Sequence, residues 1–168
     1  MNPIRITDPD ILELLEAERG RIESRYNLPK NSSVDPLSLF NALNASCDVP
    51  NTPQTNKIIK IEKPKRLQDL IGYTESSVCT NAIIYLPNAL MDWHTNSNMT
   101  GNRCYITYSY GESVFRYQNV DGEIVDSHDI PNTWQVRRFC IPEDDLLWHT
   151  ITSNGARIAY GFKDGALR

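Results

Sequence analysis

The sequence predicts an α+β chain: a jelly roll or small barrel of about eight short strands, with N-terminal helices supporting one face. Three observations predict it. The chain changes texture near residue 80, from helical periodicity to short alternating runs rich in Tyr, Ile, Val and Thr. Turn residues then recur between those runs: Pro87-Asn88, Gly101-Asn102, Gly111, Asp121-Gly122 and Asn154-Gly155. Ahead of them, Thr7-Asp8-Pro9-Asp10 is a helix start, with a capping side chain, a proline for the first turn and acids near the positive end of the dipole.

The first helix places Ile11, Leu14, Leu15, Ile22 and Tyr26 near one face and should end at Tyr26-Asn27, ahead of Pro29. Its charged face, with Glu16, Arg19 and Glu23, reads as solvated. Asp35-Pro36 opens a second helix through Leu43, and residues 46–56, polar and carrying two prolines, form a loop. A soft boundary there divides a helical extension (1–56) from the strand-rich domain (57–168). Lys57–Lys63 is a strand whose lysines suit a charged edge, and Leu67–Ile71 a short helix. The strands that follow are predicted at 81–86, 90–95, 103–110, 113–118, 122–127, 133–141, 146–152 and 156–163.

Composition bounds the function. At 168 residues, 40% hydrophobic and 23% charged, the chain can bury a substantial core. A net charge of -4 argues against general nucleic-acid binding. The first residues lack the apolar core of a signal peptide, and no run is long enough to cross a membrane, so the expectation is a soluble, cytoplasmic protein. Cys47, Cys79, Cys104 and Cys140 form no C-x-x-C pair; Cys104 and Cys140, in strand-like runs, are expected as small buried apolar residues.

The chemistry-bearing residues concentrate in the strands. Two of the three histidines, His94 and His149, lie in apolar strand runs, each directly after a tryptophan (Trp93, Trp148). Strands distant in sequence can bring two imidazoles to one point, and two histidines with a carboxylate and open positions are the usual site of non-haem iron(II) oxygenases. Arg157 follows His149 by eight residues; an arginine there can grip a carboxylate bidentately. On its strand Arg157 alternates with Ile158, Tyr160 and Phe162 and shares a face with Ala159 and Gly161, small residues that leave room for a ligand. His128, flanked by acids, reads as exposed. One of Arg137 and Arg138 faces inward or lies at the sheet rim, where it meets an acidic substrate or pairs with Asp126 or Asp129.

Over about residues 80–163 the chain resembles the 2-oxoglutarate- and iron(II)-dependent dioxygenases, in particular the prolyl-4-hydroxylase-like branch. The resemblance rests on His94-Thr95-Asn96, on His149 after 55 residues, on Arg157, and on the run Gly101–Tyr108 after the first motif. It implies a double-stranded β-helix with iron(II) held by His94, Asn96 and His149. It also implies 2-oxoglutarate as co-substrate, its far carboxylate on Arg157 and Tyr85, with Tyr108 or Tyr110 lining the same pocket. Trp93, Trp148 and Arg103 are the candidates for substrate contact, the substrate being a peptide side chain or a small molecule.

The family's acidic ligand is Asn96 here, and the serine it often has after Arg-x is Ala159. Four accounts of residue 96 stay open. Asn96 ligates weakly through its carbonyl; Asp92 or Asp129 completes the site; an exogenous anion such as chloride fills the position; or the fold persists without catalysis. The competing functional classes are a non-catalytic jelly-roll binding protein and a cupin-like metal protein of other activity.

Overall fold

The computed structural model describes residues 1–28, 56–64, 78–95, 100–143 and 146–163. A short strand β1 (Ile4–Arg5) precedes helix α1 (Pro9–Tyr26), and the remaining elements are strands: β2 (Asn56–Lys60), β3 (Val78–His94), β4 (Gly101–Ser109), β5 (Ser113–Gln118), β6 (Ile124–His128), β7 (Trp134–Ile141), β8 (His149–Ser153) and β9 (Arg157–Lys163). The strand pairs are antiparallel and run in the order β1-β7-β4-β9-β3-β8-β5-β6, with β2 on the edge of β3. This curled antiparallel arrangement is the expected jelly roll.

Strand β3 joins the two halves of the roll. Val78 to Tyr85 pair with β9, whereas Ala89 to His94 pair with β8. Between them lie Pro87, which has no N–H to give a ladder, and Asn88, which adopts a left-handed φ of 61°. The strands expected at 81–86 and 90–95 are therefore one strand of 17 residues. Pro87-Asn88 bends it from its pairing with β9 to its pairing with β8 instead of ending it.

Helix α1 begins and ends where its caps dictate. The Asp8 carboxylate accepts from the N–H groups of Asp10 and Ile11 at 3.0 and 3.1 Å, Pro9 opens the first turn, and Asn27 closes the helix in the left-handed conformation. Leu15 and Ile22 are fully buried against one outer face of the sheet, in a core with Ile84, Ile106, Trp134, Ile158, Tyr160 and Phe162. The face expected to be solvated is not wholly so. Arg19 Nη1 donates to Tyr108 Oη at 3.1 Å, and Tyr110 Oη donates to Glu23 Oε1 at 2.5 Å. A second core of Ile83, Tyr85, Ala89, Phe115, Tyr117 and Ile151 fills the inside of the roll. The helices expected at 36–43 and 67–71 lie outside the described residues. Cys104 is buried, but Cys140 is exposed, on the face of β7 that carries the exposed Arg138. No helix among the described residues is long and apolar enough to cross a membrane.

Candidate metal and carboxylate site

His94 closes β3 and His149 opens β8, and the ladder sets them directly opposite one another. Their ring centroids are 4.1 Å apart with planes tilted by 52°. Each Nδ1 faces a backbone carbonyl: His94 that of Asp92 at 2.7 Å, His149 that of Leu147 at 3.1 Å. A carbonyl only accepts, so each Nδ1 carries the proton and each Nε2 carries the lone pair. Backbone geometry thus fixes both tautomers in the form that ligates a metal through Nε2. Burial pushes His94 below its ordinary value, and it pushes His149 down to about 3, with the neighbouring His94 adding to the effect. Both imidazoles are neutral at physiological pH. Phe115 stacks on His149 at 5.1 Å and holds the ring in place.

The two histidines open into a cleft that also receives Arg157, Tyr85, Tyr105 and Met91, with apolar walls from Ile83, Phe115 and Ile151. Arg157 opens β9, opposite Tyr85 on one side and Ser109 on the other. Its guanidinium carbon lies 5.1 Å from the centroid of the Tyr85 ring. Burial keeps the Tyr85 phenol above its ordinary value, so it remains a neutral hydroxyl. Ala159 and Gly161 line the cleft beside Arg157, while Ile158 and Phe162 face the outer core, as the alternation predicts. A Cβ on Gly161 would lie 3.2 Å from Tyr105 Cε1, so glycine there keeps the cleft open.

Arg157 does not stand alone. Its Nε donates to Asp129 Oδ2 at 2.7 Å, and Arg137 Nη1 donates to Asp129 Oδ1. Ser109 Oγ donates to Asp129 Oδ2 at 2.8 Å. All three charged side chains are buried. Burial alone would raise the Asp129 carboxyl, but the two guanidiniums hold it well below the ordinary carboxylate range.

Asp129 is committed to this network: both of its oxygens accept from arginines. Asp92 Oδ1 accepts from the backbone N–H of Trp93 at 2.7 Å. Among the described residues no three His, Cys, Asp or Glu side chains converge as a metal-holding group. Asn96 lies outside the described residues. The cleft therefore offers two nitrogen donors, the neutral imidazoles of His94 and His149, each of fixed tautomer.

Several expected contacts fall elsewhere. Tyr108 and Tyr110 do not line the cleft; β4 turns Tyr108 to the outer face, and both stand against α1 through Arg19 and Glu23. Trp93 and Trp148 line a separate open cleft with Gln118 and Ile124, since each precedes its histidine by one residue and points the opposite way. Arg103 shares the parity of Tyr105 on β4 but is buried outside the cleft's lining, with Nη1 donating to the carbonyl of Asn102 at 3.1 Å. His128 is exposed, and Arg137 is the inward member of its pair, joined to Asp129. Tyr105, by contrast, lines the cleft unannounced; the period-two alternation of β4, which separates it from Tyr108, was the signal available.

No family model matches the chain, and no curated protein does. Among solved structures, a prolyl-4-hydroxylase from Pseudomonas putida is similar over 98% of this chain and 92% of its own, at 16% identity and a TM-score of 0.54. That likeness shows the fold. Recombinant oxalate oxidase (13% identity, 71% of this chain and 56% of that one, TM-score 0.42) is more distant. So is Peruvianin-I, a cysteine peptidase of Thevetia peruviana latex (15% identity, 68% of each chain, TM-score 0.41).

Proposed function

We propose that the chain is a 2-oxoglutarate- and iron(II)-dependent oxygenase, a hydroxylase of a peptide side chain or a small molecule. One observation carries the reading: two neutral imidazoles, 4.1 Å apart between centroids, share a cleft with a buried arginine and a tyrosine hydroxyl. A metal-chelating 2-oxo acid with a second carboxylate needs those two kinds of group at the two ends of one pocket.

In this reading His94 and His149 hold the metal through Nε2, with Asn96 as the third candidate ligand. The carbonyls of Asp92 and Leu147 keep each Nδ1 protonated, so neither imidazole can turn to ligate through the other nitrogen. Arg157 takes the far carboxylate, with the Tyr85 hydroxyl beside it. The Asp129 carboxylate occupies Nε of Arg157 and directs the terminal Nη groups to that task. Ile83, Tyr105, Phe115 and Ile151 exclude water from the space between. When bound, iron(II) with 2-oxoglutarate supplies the oxygen-activating redox chemistry that side chains lack.

The commitment of Asp129 to arginines favours a second reading, a jelly roll that binds a carboxylate without redox chemistry. Thermal unfolding separates the two. The oxygenase reading expects manganese(II) and 2-oxoglutarate together to raise the Tm by more than the sum of their separate effects, because the co-substrate bridges metal and arginine. Stabilisation by 2-oxoglutarate that is indifferent to metal supports the binding-protein reading instead.

A further inference from the structure

The Arg137–Asp129–Arg157 triad does more than orient one arginine. Its charges do not balance: two guanidiniums meet one carboxylate, all nearly inaccessible to solvent. A simple buried ion pair is neutral, and a third buried charge is costly unless something answers it. Arg137 is fully committed inside the protein. Its Nε donates to Ser127 Oγ at 3.0 Å, its Nη2 to the Ser127 carbonyl at 3.1 Å and its Nη1 to Asp129, and its guanidinium carbon lies 5.8 Å from the Phe115 ring centroid. Arg157 instead reaches the cleft.

We propose that Arg137 and Asp129 are positioning residues that set the charge of the cleft: Asp129 aims Arg157, and Arg137 neutralises Asp129, so that the full positive charge of Arg157 faces a single carboxylate of the ligand. The proposal rests on the reading of Arg157 as the carboxylate grip. Without Arg137, Asp129 would cancel Arg157 and the cleft would present a neutral pair. The same three groups explain the electrostatics. Burial lowers Arg137, which Asp129 opposes and the neighbouring Arg157 reinforces, whereas burial of Arg157 is outweighed, chiefly by the Asp129 carboxylate, and the net direction is upward.

The test measures glutarate binding to the full chain by calorimetry. Glutarate carries the far carboxylate but lacks the 2-oxo group needed to chelate a metal. Arg137→Met should weaken glutarate binding by about tenfold or more, the scale of one unit charge lost near a desolvated anion. The double variant Asp129→Asn/Arg137→Met leaves Arg157 as the sole charge and should recover most of that loss; a purely structural role for Arg137 would make the double variant bind no better than the single one. Should Arg137→Met fail to fold, Arg137→Lys, which keeps the charge, should bind like the wild type, and Arg137→Gln should not. Unchanged binding in Arg137→Met, equal loss in the single and double variants, or no glutarate binding by the wild type overturns the proposal. If glutarate follows this pattern but 2-oxoglutarate with manganese(II) binds no more tightly than glutarate, the triad's role stands and the oxygenase reading falls.

Discussion

His94 and His149 face one another across the β3–β8 ladder, and each donates a hydrogen bond from its Nδ1–H to the backbone carbonyl two residues before it. The symmetry is local and backbone-made, so it does not depend on any ligand to hold the rings. Single substitutions His94→Ala and His149→Ala should each abolish stabilisation by manganese(II). At a metal concentration one hundred times the Kd, that is a loss of about 2.7 kcal/mol of ligand-linked stability. Denaturant titration with and without the metal measures it, and persistence of the effect in both variants would remove the histidines from the metal site.

The triad makes two stability predictions of unequal size. Asp129→Asn leaves two buried guanidiniums without a counter-charge and should cost about 3–5 kcal/mol. Arg157→Leu leaves the neutral Arg137–Asp129 pair and should change stability by only about 1 kcal/mol, since the large cost of breaking a buried ion pair comes from the uncompensated charge left behind, and none is left here. Equilibrium unfolding in urea reads both, and a reversed order would contradict the assigned pairing.

Stability should fall as the solution is acidified. The folded pKa of His149 is depressed to about 3 from an ordinary 6.5, so below about pH 6.5 the unfolded chain takes up a proton that the native state refuses. The contribution is therefore complete above pH 6.5 and is lost as pH falls toward 3. For metal-free protein the loss between pH 7 and pH 5 from this residue is about 2 kcal/mol. His94 is depressed in the same direction and adds to it. Asp129 loses its proton-free advantage only below its ordinary value of 3.8, so this window isolates the imidazoles. Unfolding of wild type and His149→Gln at pH 7 and pH 5 checks the slope, which should be shallower in the variant.

The helix-facing tyrosines and the cleft-facing glycine should respond differently to mutation. Tyr108→Phe and Tyr110→Phe remove hydroxyls bonded to Arg19 and Glu23 on α1; each should cost about 1 kcal/mol and leave binding of 2-oxoglutarate unchanged. Gly161→Val, on β9, presses on Tyr105 from inside the cleft and should weaken 2-oxoglutarate binding strongly. Calorimetric titration of the three variants distinguishes helix support from ligand contact.

Where one chain segment carries its own instructions, the sequence was readable. The Thr7–Asp10 start signal, the amphipathic spacing and the approach of Pro29 place α1 closely, and the alternation around Arg157 gives the small, cleft-facing side of β9. The bend at Pro87-Asn88 looked like a strand end because a proline and a left-handed residue interrupt a ladder and end a strand by the same local chemistry; only the partners β9 and β8 show that β3 continues. Tyr105 and Tyr108 differ in parity, a signal that was present and went unused, and the tryptophans beside the histidines point away for the same reason. The Asp129 bridge between two arginines was less accessible: three separate strands or loops meet there, and no local spacing encodes that meeting.

The central claim is that the two imidazoles and Arg157 serve one oxidative reaction. The most direct measurement is conversion of 2-oxoglutarate to succinate by protein reconstituted anaerobically with iron(II) and then exposed to oxygen with candidate substrates. The account predicts succinate from the wild type and none above background from His149→Ala or Arg157→Leu. Absence of succinate from the wild type, or equal amounts from all three proteins, would contradict it.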